Sequence, residues 1–357
     1  MWRKEIDGSI VDENGKVIYF STERFVNDIC LGNCCFICGA KPDEKPFNDE
    51  HVLPEWVLRK YNLFARRITL SNGVQYRYDR FTVPCCADCN SLMGRVIEDP
   101  ISEVVKGGAA AISDFNEKHG LLKFYVWMGL IFLKAHLKDR EFRWHLDARE
   151  GQEKIADLHT WEELHHLHCV VRCFYTQCTV EQKAAGSFLG ISVRQDCSPE
   201  EFDFAELSSA QTMVVRFGDA AMFAVFNDSG AAMTKFWEKL ERITGAVSEI
   251  QLREILIELA FLNLHVKNRA SFHSEINLDT ESYRILAKRP LAAEFNEFDY
   301  AVRGSLLHHS IEHVLSKIRV PNRTQDEISD AIKTGRFSFL FDNDGRFIEK
   351  TVVAAEG

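Results

Sequence analysis

Cys34-Cys35-Phe36-Ile37-Cys38-Gly39, Asp49-Glu50-His51-Val52-Leu53-Pro54 and Cys85-Cys86-Ala87-Asp88-Cys89-Asn90 are the stretches that decide the reading of this chain. The outer two each hold a C-x-x-C, Cys35/Cys38 and Cys86/Cys89. A C-x-x-C turn aims two sulfurs at one point, and two such turns supply the four thiolates of a closed, tetrahedral structural zinc site. Gly39 follows the first turn, where the backbone is tight. Cys34 and Cys85 stand directly before Cys35 and Cys86, so registers that use either of them stay open. The gap from Cys38 to Cys86 is long for one ribbon, so a functional insertion is expected between the knuckles.

Outward from these motifs, residues 9–20 read as a hairpin turning at Asn14-Gly15. Residues 55–64 suit a short helix, and 66–84 extended chain with a turn at Ser71-Asn72-Gly73. Asn90 to Glu98 suits a helix that stops before Pro100. Lys106-Gly107-Gly108-Ala109-Ala110-Ala111 is the linker candidate. Beyond it come a strong helix at about 120–138, β alternation over 186–227, helical spacing over 232–266, and a closing hairpin from Phe337 to Ile348. The expectation is an α+β protein: a small zinc-bound domain at 1–105, and a larger α+β domain at 110–357 for recognition or oligomerisation.

A chain of 357 residues is long enough for about two domains. With 46% hydrophobic and 27% charged residues it is neither disordered nor a repeat array. Its 43 basic against 53 acidic residues exclude a general coat of basic surface but leave room for a local cationic groove. No apolar run follows the N-terminal Arg3-Lys4 pair, and Leu121–Leu133 is too short and too charged to span a bilayer. A cytoplasmic, reducing location without membrane is therefore expected, where clustered cysteines bind metal more often than they form disulfides.

The middle stretch resembles the HNH endonucleases, the ββα-metal or His-Me finger superfamily. Their signature is an acidic residue, His, an aliphatic pair and often Pro, then a second strand, then Asn or His opening a helix. Glu50-His51-Val52-Leu53-Pro54 matches the first part, and Cys89-Asn90 the second in the zinc-stapled branch. The resemblance covers about residues 30–100. It implies a metal-dependent nuclease acting on nucleic acid, DNA before RNA, in which His51 activates water, Glu50 and Asn90 hold Mg²⁺ or Mn²⁺, and the zinc is structural. By the same resemblance, host defence against phage or mobile elements is an expected setting. Some members carry a further ligand four residues into the helix; here that position is Gly94.

The residues suit this chemistry on their own account. Phosphodiester hydrolysis needs an activated water and a cation at the phosphate. A histidine that is neutral near pH 7 can take a proton from water, and carboxylate and amide oxygens suit Mg²⁺. Neighbouring residues on a regular strand point to opposite faces, so Glu50 and His51 share a site only on an irregular strand. Asp49, on the His51 face of a flat strand, is the alternative ligand. Glu98, eight residues past Asn90, reads as a structural or ion-paired carboxylate.

Arg59, Lys60, Arg66, Arg67, Arg77 and Arg80 face a single nearby carboxylate, Asp79, with Tyr61, Phe64, Tyr76 and Tyr78 interleaved. This is the expected nucleic-acid-binding segment, since guanidinium forks grip phosphate and aromatic rings can stack on bases. A further cluster, His159, His165, His166, His168, Cys169, Cys173 and Cys178, has no closed-site spacing and reads as core; Cys197 has no partner in sequence. A protein partner through residues 110–357 is expected to accompany nuclease activity in so acidic a chain. The rival reading is a non-catalytic zinc-ribbon scaffold that binds protein or nucleic acid.

Overall fold

The computed structural model describes residues 1–195, 202–320 and 323–349; Cys197 lies outside them. The chain is mixed α+β, with several small sheets. It divides into two compact units, the first made of Met1–Lys106, Lys118–Ala185 and Ser271–Lys288, the second of Gly107–Glu117, Gly186–Ala270 and Arg289–Gly357. One break does fall at Lys106, but the sequence expectation of an undivided domain from 110 onward differs from this division. The physical reason is the helix at Leu122–Lys138. Every residue from Phe124 to Lys138 is buried, and a helix apolar on all sides must be enclosed on all sides.

In the first unit, β1 (Phe47–His51) and β2 (Thr82–Cys86) form a regular antiparallel pair, from Phe47 opposite Cys86 to His51 opposite Thr82. Pro84 is tolerated because the sheet has only two strands. A short helix, α1 (Glu55–Lys60), follows β1. Strand β2 runs straight into α2 (Ala87–Met93), whose first amide donates to Pro46 O at 2.9 Å. The expected helix at 90–98 thus begins earlier. It also does not stop at Pro100: a π-helical turn at Gly94–Glu98 leads into a helix over Asp99–Lys106. Pro100 lies directly after the π-helical turn, within one continuous helical stretch from Ala87 to Lys106.

The long buried helix is α3 (Leu122–Lys138), and α4 (His165–Val171) packs beside it. The second unit holds a four-stranded antiparallel sheet of β3 (Phe188–Ser192), β4 (Phe202–Leu207), β5 (Thr212–Phe217) and β6 (Ala220–Val225), in the order β4-β5-β6-β3. Helices α5 (Ala231–Leu240) and α6 (Glu249–Leu264) cover it. A second core forms where α6 meets α7 (Tyr300–Ser310) and α8 (Gln325–Lys333). The expected closing hairpin shrinks to one bridge, Phe341 to Phe347. Glu254 has captured the amides of Phe339 and Leu340, so they are lost to a ladder.

Candidate metal centre and the strand beside it

Cys35, Cys38, Cys86 and Cys89 come together as a buried group whose sulfurs all lie within 4.8 Å of one another. Zinc with Zn–S of about 2.3 Å in a tetrahedron sets its sulfurs roughly 3.8 Å apart, and Cys38 and Cys86 already stand at 3.5 Å. The donor set fits a structural metal such as zinc. The four thiols are also close enough to hydrogen-bond to one another. Their mutual hydrogen bonds push Cys35 down and raise Cys38 to about 12 and Cys89 further, because neighbouring thiolates cannot all carry charge without a cation. Cys34 stands apart, half-buried, and Cys85 touches Cys35 at 3.8 Å without joining the group.

The first knuckle is shaped by residues far away in sequence. Gly39 takes φ +76°, and a Cβ there would stand 2.6 Å from the Phe20 ring. On α4, His168 Nε2 donates to Phe36 O at 2.8 Å. One turn later, Arg172 Nε donates to Ile37 O and its Nη2 to Val17 O, both at 2.6 Å. Both side chains are fully buried. They hold the carbonyls of the loop between Cys35 and Cys38 and so fix the direction of its sulfurs.

The acidic strand of the motif is regular, and this corrects the reading of Glu50. Its carboxylate is buried and accepts from Lys134 Nζ at 2.6 Å; the same ammonium donates to His51 O at 2.7 Å. Glu98 Oε1 lies 3.8 Å from Lys134 and is pushed up to about 7, chiefly by burial. Burial works against the charge of Lys134, but the two carboxylates outweigh it and its pKa is raised. Glu50 is therefore committed to an internal ion pair and does not fit the role of an open ligand for Mg²⁺ or Mn²⁺. Asp49 is exposed and, by strand alternation, shares the face of His51. His51 is half-buried, edge-on to Phe64 at 6.3 Å. Asn90, in the first turn of α2, donates through Nδ2 to Asn48 Oδ1 at 3.1 Å. That bond places Asn90 by Asn48 rather than by His51.

All six expected nucleic-acid cations are exposed. Arg67 and Arg77 are directly opposite in a small hairpin, Arg67–Thr69 with Gln75–Arg77. Arg59 is held by Glu55 at 2.6 Å, and Arg77 by Asp79 in a two-bond fork. Lys60 lies over the Tyr61 ring, and Arg66 and Arg80 flank the hairpin. The aromatics serve the interior: Tyr61 is buried, and Tyr76 packs edge-on to Phe142 at 4.8 Å. These two are not open stacking platforms, while Phe64 and Tyr78 are half-buried.

The second histidine-cysteine cluster is interior structure. His159 pairs with Asp139 at 2.9 Å, and His165 and His166 each bond a backbone carbonyl at 2.8 Å. Cys173 and Cys178 are raised to about 12 and about 11 by burial. Among the described residues, no group besides the four knuckle cysteines has metal-site geometry. The sequence reading gave no role to Lys134 or Arg172 and took His168 only as core. For Lys134 the available signal was a charged residue inside an otherwise apolar helix. Among the described residues, no single helix is long and apolar enough to cross a membrane. Comparison with known families, curated proteins and solved structures gives no match.

Proposed function

We propose that this protein is a metal-dependent endonuclease of the HNH type, hydrolysing phosphodiester bonds in nucleic acid, with DNA the preferred substrate. The observation that carries the reading is the β1–β2–α2 unit: an antiparallel pair running directly into a helix, rooted in four buried thiols, with His51 ending β1 and Asn90 in the first turn of the helix. In this reading His51 Nδ1 or Nε2 takes the proton from the attacking water. Asp49, not Glu50, supplies the carboxylate to a divalent cation, and Asn90, held by Asn48 away from His51, is not one of its ligands. Such a cation, when bound, neutralises charge at the scissile phosphate and at the leaving oxygen. Arg67 and Arg80 hold the flanking phosphates. Lys134 fixes the backbone of His51 through its carbonyl and is a positioning residue.

Nicking of supercoiled plasmid in Mg²⁺ or Mn²⁺ tests this. A loss of 10²-fold or more is expected for His51→Ala, in the range that removal of a general base costs. Asp49→Ala should lose activity comparably. His51→Ala with unchanged activity, or wild type inert with every divalent metal, would sink the proposal. The competing reading, a zinc-knuckle binding module without catalysis, draws its support from the Glu50–Lys134 ion pair, which removes one expected ligand. It predicts nucleic-acid or protein binding that is indifferent to His51→Ala.

A further inference from the structure

The second unit holds a cleft of about 550 Å³, within the usual range for a small-molecule site. Its floor is an ion network. Arg303 donates through Nη2 to Glu254 at 2.7 Å and through Nε to Glu258 at 2.5 Å, and Lys239 also binds Glu258. Glu254 further accepts from Ser338 Oγ and from the Phe339 and Leu340 amides. Two carboxylates and two cations leave the floor neutral.

The rim is different. Arg242, Arg319, Arg323 and Arg336 line the cleft. Arg242 donates to Gly345 O, Arg319 to the carbonyls of Ser316 and Ile318, and Arg336 to Thr334 Oγ1, while Arg323 lies over the Phe337 ring. Among the described residues, none of the four has a carboxylate within ion-pair distance. The remaining acidic group of the lining, Asp342, accepts from the amides of Asp344 and Arg346. This concentration of arginine stands out in a stretch, residues 101–357, with 30 basic against 38 acidic residues. Phe337, Phe341 and Tyr300 contribute partly exposed ring surface to the same cleft.

We propose that this cleft binds a nucleoside polyphosphate, with the rim guanidinium forks on the phosphates and the base against the aromatic side. Arginine forks match phosphate geometry, and an aromatic face accepts any base. The site is independent of the nuclease reading, because binding can be measured without cleavage.

The test is equilibrium titration of the full-length protein with ATP, GTP and inorganic triphosphate. At least one nucleotide should bind at one site per chain, ten-fold or more tighter than triphosphate. Arg319→Glu and Arg336→Glu, both surface changes, should each weaken nucleotide binding ten-fold or more with thermal stability unchanged. Phe337→Ala should weaken the nucleotide but not triphosphate. The proposal is overturned if neither nucleotide binds, if triphosphate binds equally well, if the arginine variants bind as wild type does, or if a single-stranded oligonucleotide outcompetes both nucleotides at the cleft.

Discussion

Lys134 shows how one residue joins a catalytic-looking motif to its scaffold. Its side chain has no solvent exposure, and it is held by Glu50 and by the carbonyl of His51. Removing one partner of a buried ion pair costs about 3–5 kcal/mol, because the other charge stays buried and uncompensated. Lys134→Met should therefore lower unfolding stability in urea by about that amount, and the double variant with Glu50→Leu should lose less than Lys134→Met alone. The knuckle cysteines were legible in sequence because the thiolate spacing is itself the chemistry. The role of Glu50 was not. A residue's own neighbours say which strand face it takes, but not what waits on that face; its partner here is 84 positions away.

At the scale of elements, the two buried helices of the first unit carry histidines that stay neutral. Burial lowers His136 on α3 to about 3 and His166 on α4 to about 4, and holds His168 well below the ordinary 6.5. In the unfolded chain all three protonate below about pH 6.5. Their contribution to stability is thus intact above that pH and is lost as pH falls toward the folded values, by about 1.4 kcal/mol per pH unit for each histidine. Urea midpoints should drop from pH 7.5 to pH 5.5, and His136→Leu should show a shallower drop at the same zinc content. A steepness equal to wild type would contradict this account. The helix at 120–138 and, within 186–227, strands β5 and β6 were readable as long apolar runs, since elements enclosed on every side are apolar on every side. The closing hairpin was not, because a carboxylate from α6 took the backbone amides that a ladder needs.

For the whole molecule, the discontinuous first unit sets what can be cut away. Residues 1–105 contain the four knuckle cysteines and β1–β2–α2, but not Lys134, His168 or Arg172. Such a fragment leaves Glu50 without its cation and the carbonyls of Phe36 and Ile37 without their donors. It is expected to show dispersed amide signals and one bound zinc far less well than the full chain does; a well-folded, zinc-loaded fragment would count against this dependence. The same threading bears on the order in which the chain becomes a protein. The first unit's last segment, Ser271–Lys288, leaves the ribosome only after residues 186–270 of the second unit have emerged. The loop between Cys35 and Cys38 must wait for His168 and Arg172 to emerge before its carbonyls are held. The second unit in turn awaits Arg289 onward, so neither unit can finish folding early as an isolated N-terminal domain can.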